Sequence, residues 1–357
     1  MSLEAWGWSP LFERQLEASE RIELSPARVS EEHRGLYRVQ TAEGELVAEL
    51  AGKLRHHAAG REQLPAVGDW VLVRPRPAEG RATIQRVLER RSKISRKAPG
   101  QPTAEQVLAA NLDTLLIVIA LDRDFSLRRI ERYLTLIWDG GARPVVVLNK
   151  ADLCEQPQQQ ALAVESVALG VPVHLICALS GAGFDQLEPY LAPGQTMALV
   201  GSSGVGKSTL INRLVGSELL KTQAIGAGSQ RGRHTTTARQ LVRLPGGALL
   251  IDTPGLRELQ LWDADPGLGQ TFADLAALAA GCRFHDCRHL SEPGCAVQAA
   301  LATGRLDPGR LESYRKLERE LAHLERKRDA RARLAEQSKW RAIHRQMRQW
   351  RRVSPKG

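Results

Sequence analysis

The sequence predicts a multidomain α/β protein in three parts: a small N-terminal β-barrel, a nucleotide-binding domain on a mostly parallel sheet, and a helical C-terminal domain. Three patterns carry this reading. Apolar and polar residues alternate in short runs between Leu36 and Val87, apolar strands alternate with helical segments from about Ala104 to Trp262, and a helical pattern then surrounds a cluster of cysteines.

Residues 1–28 contain Trp6 and Trp8 but no clear element, and read as an N-terminal tail. The barrel is expected over residues 29–98. Its alternation runs through Tyr37, Val39, Leu46 and Leu50 across an Ala42-Glu43-Gly44 turn, then from Trp70 to Val73 and from Ala82 to Val87. A small barrel ahead of a nucleotide domain suggests an OB-like fold, whose surfaces often hold RNA. Ser92 to Thr103, with its Pro and Gly, reads as a linker.

The nucleotide domain is expected over residues 104–262. Asn111 to Leu121 is its first strand, and Ser126 caps a helix whose Leu127, Ile130, Leu134 and Ile137 share one face. Strands alternate with helices thereafter, so the sheet should be parallel and covered on both sides. The apolar strand Pro144 to Leu148 delivers Asn149-Lys150-Ala151-Asp152 at its carboxyl end, where open α/β sheets bind ligands. A carboxylate at Asp152 accepts from both N1-H and the 2-amino group of guanine. Adenine offers neither donor, and sites of this kind reject the wrong partner by ~10⁴-fold or more. Asn149 is suited to bracing the loop, and the Lys150 stem to covering the base. The strand Val171 to Ile176 ends at Cys177-Ala178-Leu179, where the Ala178 NH is placed for the guanine oxygen.

A further strand, Thr196 to Val200, opens directly into Gly201-Ser202-Ser203-Gly204-Val205-Gly206-Lys207-Ser208-Thr209, which fills the phosphate-loop pattern Gly-x4-Gly-Lys-Ser. An amphipathic helix carrying Leu210, Ile211 and Leu214 follows. Strand, glycine loop and helix start aim backbone NH groups and a positive helix end at one point, which suits a polyphosphate. Lys207 should reach the β and γ phosphates, and the Ser208 hydroxyl should ligate Mg²⁺. Asp252-Thr-Pro-Gly255 closes another strand, Ala248 to Ile251; Asp252 is placed to hold Mg²⁺ through water and the Gly255 NH to sense the γ-phosphate. Between these motifs lies Arg231-Gly-Arg-His-Thr-Thr-Thr237, one of whose hydroxyls completes the Mg²⁺ shell. Thr236 is taken as that ligand, although spacing alone does not separate the three threonines. The guanine-reading tetrapeptide thus precedes the phosphate loop, the reverse of the usual order. The pocket is circularly permuted.

Residues 263–357 form the C-terminal domain. Cys282, Cys287, His289 and Cys295 supply three thiolates and an imidazole within fourteen residues, a set suited to tetrahedral, structural zinc with no open position. His285 is the rival imidazole. Asp307-Pro308 then opens a helix whose Leu311, Tyr314, Leu317, Leu321 and Leu324 form an apolar stripe, uninterrupted by Gly or Pro until Pro355. From Arg326 onward twelve Lys or Arg face two acids, a net +10 that equals the charge of the whole chain. A basic tail on a neutral body addresses phosphate backbones. No basic, apolar leader and no membrane-length apolar run is present, so a cytoplasmic protein with no membrane contact is expected. The odd cysteine count argues against a disulfide framework.

The order of guanine loop, phosphate loop, Arg-Gly-Arg-His-Thr-Thr, Asp-Thr-Pro-Gly and Cys/His cluster resembles the bacterial small ribosomal subunit-dependent GTPases of the RsgA family. The resemblance covers nearly the whole chain, from the Gly68-Asp69 turn to Cys295. It implies an N-terminal OB-fold, a circularly permuted P-loop GTPase domain and a C-terminal zinc-binding domain. It also implies hydrolysis of GTP to GDP and phosphate, stimulated by the small ribosomal subunit, and a late role in that subunit's maturation through rRNA contacts. A monomer is expected. The family's zinc motif, including Glu292-Pro293-Gly294, favours His289 over His285. One departure from Ras-like enzymes concerns catalysis: Leu256 follows Gly255 where a glutamine would orient the attacking water. His234 is the candidate for that role, as the resemblance also implies, and His234 with Gly255 make up the catalytic expectation. The alternatives are a GTP-sensing RNA-binding scaffold with incidental hydrolysis, which Leu256 favours, and an ATP-dependent kinase or ATPase, which Asp152 opposes.

Overall fold

The computed structural model describes residues 2–33, 35–98, 101–122, 125–216, 239–252 and 265–326. Five strands make the N-terminal barrel: β1 (Ser25–His33), β2 (Leu36–Thr41), β3 (Gly44–Leu50), β4 (Trp70–Arg76) and β5 (Arg81–Val87). Their order is β1-β2-β3-β5-β4, and β4 returns to pair with β1, so the barrel closes. Only the β3–β5 pair of the barrel is parallel, and the helix Gly52–His57 comes between β3 and β4 in the chain. Alternation sends Ala27, Val29, Tyr37, Val39, Ala48, Val71, Val73, Ala82 and Ile84 inward as one core. This is the OB-like barrel expected.

Two expectations at its borders fail. Residues 1–28 are not a loose tail: Trp6 and Phe12 are buried, and Trp8 meets Trp70 edge-on with ring centroids 4.7 Å apart. The first strand also begins at Ser25, in a segment whose pattern hid it because Arg28, between the inward Ala27 and Val29, is itself buried on the strand's other face. Arg28 is 1% exposed and donates to the carbonyls of Trp6, Gly68 (3.2 Å) and Asn111 (3.1 Å). Hydrogen-bonded on several sides and stacked over Trp70, it serves as a polar rivet among apolar neighbours. The presumed linker is a hairpin of β6 (Lys93–Ala98) and β7 (Gln101–Ala110). Pro99 and Gly100, which prompted the linker reading, fall between two paired strands, and Ile94, Val107 and Leu108 are buried.

The nucleotide domain contributes β8 (Thr114–Ala120), β9 (Arg143–Asn149), β10 (Val173–Leu175), β11 (Thr196–Val200), β12 (Arg239–Arg243) and β13 (Leu249–Asp252), in the order β10-β9-β8-β11-β13-β12. All neighbours are parallel except β12, which runs against β13. Every residue of β8 is buried, and successive residues enter different cores: Leu115, Ile117 and Ile119 one, Leu116, Val118 and Ala120 the other. The sheet is therefore covered on both faces, as a parallel sheet must be. The helix Leu127–Asp139 covers one of them through Ile130, Leu134 and Ile137; Ser126 stands at its N-cap position but its side chain makes no capping bond, contrary to expectation. Because β12 also pairs with β1 (Glu31 opposite Gln240), barrel and nucleotide sheet form one continuous ladder.

The C-terminal part stacks the helices Asp265–Thr271, Ala273–Ala279, Ala296–Ala302 and 308–326 against the helix Leu127–Asp139. Leu311, Leu317 and Leu321 of the predicted stripe are buried. Arg310 seals this junction. It pairs with Glu131 (2.7 Å) and Asp274 (2.7 Å) and donates to the carbonyls of Val167 and Thr271.

Candidate functional site

The phosphate loop leaves β11 at Gly201 and enters the helix Lys207–Val215 through Gly206. Two glycines are obligatory on geometric grounds. Gly201 has φ 147° and a Cβ there would lie 2.2 Å from the Val118 carbonyl; Gly206 has φ 97° and a Cβ there would lie 2.2 Å from the Asn149 amide nitrogen. The loop can approach its neighbours this closely only without side chains. The Lys207 ammonium folds back onto the carbonyls of Gly201 (2.6 Å) and Ser202. Ser203, Gly204, Ser208 and Thr209 are exposed at the mouth, while Val205 is buried and anchors the loop.

Asn149 is the residue on which three loops converge. Only 2% exposed, it donates from Nδ2 to the Val205 carbonyl (2.8 Å) and accepts at Oδ1 from the Ala178 NH (2.8 Å). It thereby ties the base loop, the phosphate loop and the turn after β10 together. The Ala178 NH, expected at the guanine oxygen, is held by this bond. Lys150 adopts a left-handed conformation (φ 60°) and its ammonium meets Asp122 at 2.9 Å. Ala151 continues the turn by donating to the Ile176 carbonyl (3.2 Å), and Asp152 is exposed beside it. Leu153 and Leu179 flank these loops, 69% and 83% exposed, offering aliphatic surface beside the carboxylate.

Asp252 ends β13, the strand next to β11, from which the phosphate loop leaves. His234, Thr236, Gly255 and Leu256 lie outside the described residues, as does the basic tail beyond Arg326. Two participants had no signal in the sequence. Arg129 donates to the Ser202 hydroxyl at 2.8 Å and Asp122 holds Lys150; both come from the β8 side and belong to no motif.

The donor atoms of Cys282, Cys287, His289 and Cys295 all lie within 4.8 Å of one another. His289 reaches the position through a left-handed backbone (φ 59°), its Nδ1 standing 3.6 Å from Cys282 Sγ and 3.5 Å from Cys295 Sγ. Arg315 donates to the His289 carbonyl at 2.5 Å, and the Glu292 carboxylate accepts from the NH groups of Arg288, Leu290 and Ser291, so the turn is braced from both sides. Packing works to raise the Cys282 thiol, but the NH groups of Val297 and Ala296 and the neighbouring thiols outweigh it and hold Cys282 below the usual value. Packing and then the adjacent thiols push Cys287 up to about 11. One thiolate is welcome and a second is opposed by the first. A divalent cation removes that opposition, so the donor set fits zinc.

The comparisons with known proteins agree with this geometry. The sequence profile of the family described as "RsgA GTPase" matches residues 87–262, and a profile described as "50S ribosome-binding GTPase" matches residues 196–335, which begin at the phosphate-loop strand. The "Small ribosomal subunit biogenesis GTPase RsgA" of Opitutus terrae is 48% identical over 353 residues, covering 96% of both chains. The crystal structure of YjeQ from Thermotoga maritima superposes with a TM-score of 0.63 at 28% identity, over 84% of this chain and 99% of that one. That of YloQ, titled a circularly permuted GTPase, shares the fold with a TM-score of 0.62 at 24% identity, over 84% and 96%. With 48% identity to a member over nearly the full length and the permuted fold in place, the chain belongs to the RsgA family of GTPases.

Proposed function

We propose that the chain binds the small ribosomal subunit, is stimulated by it to hydrolyse GTP, and assists a late step of that subunit's maturation. The observation that carries the nucleotide half is Asn149, which joins the guanine loop to the phosphate loop through one side chain. Asp152 reads the guanine edge, the Lys150 stem and Leu179 cover the base, and the amides from Gly201 to Thr209 with Lys207 take the phosphates. Magnesium bound with GTP neutralises charge on the β and γ phosphates. Ser208 and Thr236 would hold it directly, Asp252 through water. Gly255 reports the γ-phosphate, and His234 orients the water that Leu256 cannot. Cys282, Cys287, His289 and Cys295 would hold zinc, which would stabilise the C-terminal fold and leave no open position for chemistry.

The partner half rests on charge and family. The relatives are named for small-subunit biogenesis, and the +10 concentrated beyond residue 325 suits a phosphate backbone. No helix among the described residues is long and apolar enough to cross a membrane. We place the protein in the cytoplasm as a monomer that meets rRNA through its basic tail and barrel. A second reading, a GTP-sensing RNA-binding scaffold with incidental hydrolysis, draws only on Leu256. Competition with a fluorescent guanine nucleotide tests the pocket: GTP and GDP should displace it and ATP should not, and Asp152→Asn should shift preference to xanthine nucleotides, whose oxygen replaces the guanine amine. Equal competition by ATP and GTP would defeat the reading.

A further inference from the structure

Arg129 lies in the first turn of the helix Leu127–Asp139, half-buried, with its guanidinium on the Ser202 hydroxyl at 2.8 Å. Ser202 is the second residue of the phosphate loop, and its carbonyl is one of the two on which the Lys207 ammonium rests. Two cations from different elements therefore converge on one loop residue. Lysine at this motif position serves the β and γ phosphates. The later residues of the loop begin the helix whose amides face the inner phosphates, whereas its first residues border Asp252 on the neighbouring strand, the magnesium side of the pocket. Arg129 thus approaches the end of the loop at which GTP and GDP differ. A guanidinium carries five N–H donors and stays charged, so contacts to a serine hydroxyl and to a phosphate oxygen are compatible.

We propose that Arg129 contacts the terminal phosphate of GTP and makes the pocket discriminate GTP from GDP. The same helix faces the C-terminal domain with its neighbouring residues: Arg128 pairs with Glu312 (3.2 Å), Glu131 with Arg310 (2.7 Å) and Arg132 with Glu320 (2.7 Å). Drawing Arg129 onto a phosphate therefore acts on an element bolted to the helix 308–326. This gives the nucleotide state a path to the C-terminal domain that does not run through the segment after Asp252.

The proposal rests on the guanine-nucleotide reading of the pocket, and the test separates the two. Affinities of the full-length wild type, Arg129→Ala and Arg129→Lys for GDP and for a non-hydrolysable GTP analogue are measured by fluorescence competition with magnesium present. Arg129→Ala should lose about tenfold or more in affinity for the analogue and less than about twofold for GDP, the size of one charge-assisted contact. Arg129→Lys, which keeps the charge without the fork, should fall between, and it carries the test if the alanine variant does not fold. Equal loss for both nucleotides, or an unchanged affinity for the analogue, would overturn the role of Arg129. A wild type that binds no guanine nucleotide would instead overturn the reading of the pocket, and the proposal with it.

Discussion

Replacing Asn149 by alanine removes two hydrogen bonds at once and leaves the Val205 carbonyl and the Ala178 NH without their partner. Each orphaned group costs about 1–3 kcal/mol unless water reaches it. Since the side chain joins base loop to phosphate loop, Asn149→Ala should weaken GTP and GDP together, by about tenfold or more. Nucleotide titration checks this, and unchanged affinity would show that the loops hold each other by other means. This parallel loss contrasts with the selective loss expected for Arg129→Ala. At this scale the sequence was legible wherever a residue stands in a fixed motif: Asn149 and Lys207 stand in the base and phosphate loops, and the three thiols and the imidazole of the Cys/His cluster come together. The bracing role of Asn149 followed from its chemistry, but its partners did not. Arg28 and Arg129 were invisible because a lone arginine reads as solvated surface, and only folding shows one buried between the barrel and the segments around Trp6 and Asn111 and the other on the phosphate loop.

The helix Leu127–Asp139 holds the C-terminal domain to the nucleotide domain, and Arg310 ties its Glu131 to Asp274. Arg310→Ala removes the salt-bridged partner of buried Glu131, a change that costs about 3–5 kcal/mol where it has been made in other proteins. Thermal unfolding should show a lowered transition for the C-terminal part. Its pH dependence follows from the carboxylates. Packing would raise Asp274, yet the hydrogen bonds and charge of Arg310 outweigh it and hold Asp274 below the ordinary carboxylate range. A depressed carboxyl contributes stability above its unfolded pKa of ~3.9, and that contribution is lost as pH falls through the folded value. Burial moves Glu131 upward despite the same arginine, so its share of the pairing is lost at higher pH. The gap between wild type and Arg310→Ala should therefore narrow as the medium is acidified, and a gap independent of pH would contradict this ionic account. Helices and central strands were readable from period and apolar runs. The strand β1 and the β6–β7 hairpin were not, since Arg28, buried on the face of β1 turned away from the barrel core, reads as a solvated charge in one and a Pro-Gly pair imitated a linker in the other.

Across the whole molecule, the strand β12 that joins barrel to nucleotide sheet comes directly after the segment containing His234 and Thr236 in the chain, while the helix Leu127–Asp139 touches the phosphate loop through Arg129 and the C-terminal domain through Glu131. The nucleotide domain therefore borders both flanking domains. Zinc removal separates fold from chemistry: since a metal site has no preformed counterpart in the unfolded chain, its binding free energy is also folding free energy. Chelation should loosen the C-terminal helices, seen as increased hydrogen exchange there, and leave GTP affinity nearly unchanged. A parallel loss of nucleotide binding would mean that the metal supports the pocket as well. The three-part order and the permutation were legible because motif order survives without any knowledge of packing; the shared ladder was not, because no local pattern records which edge strands meet. The central claim, a GTPase switched by its ribosomal partner, is tested most directly by steady-state GTP hydrolysis with purified small subunits, with large subunits and with neither. Hydrolysis should accelerate with small subunits alone, and His234→Ala should remove most of that acceleration while leaving GTP affinity in place. Identical rates under all three conditions would contradict it.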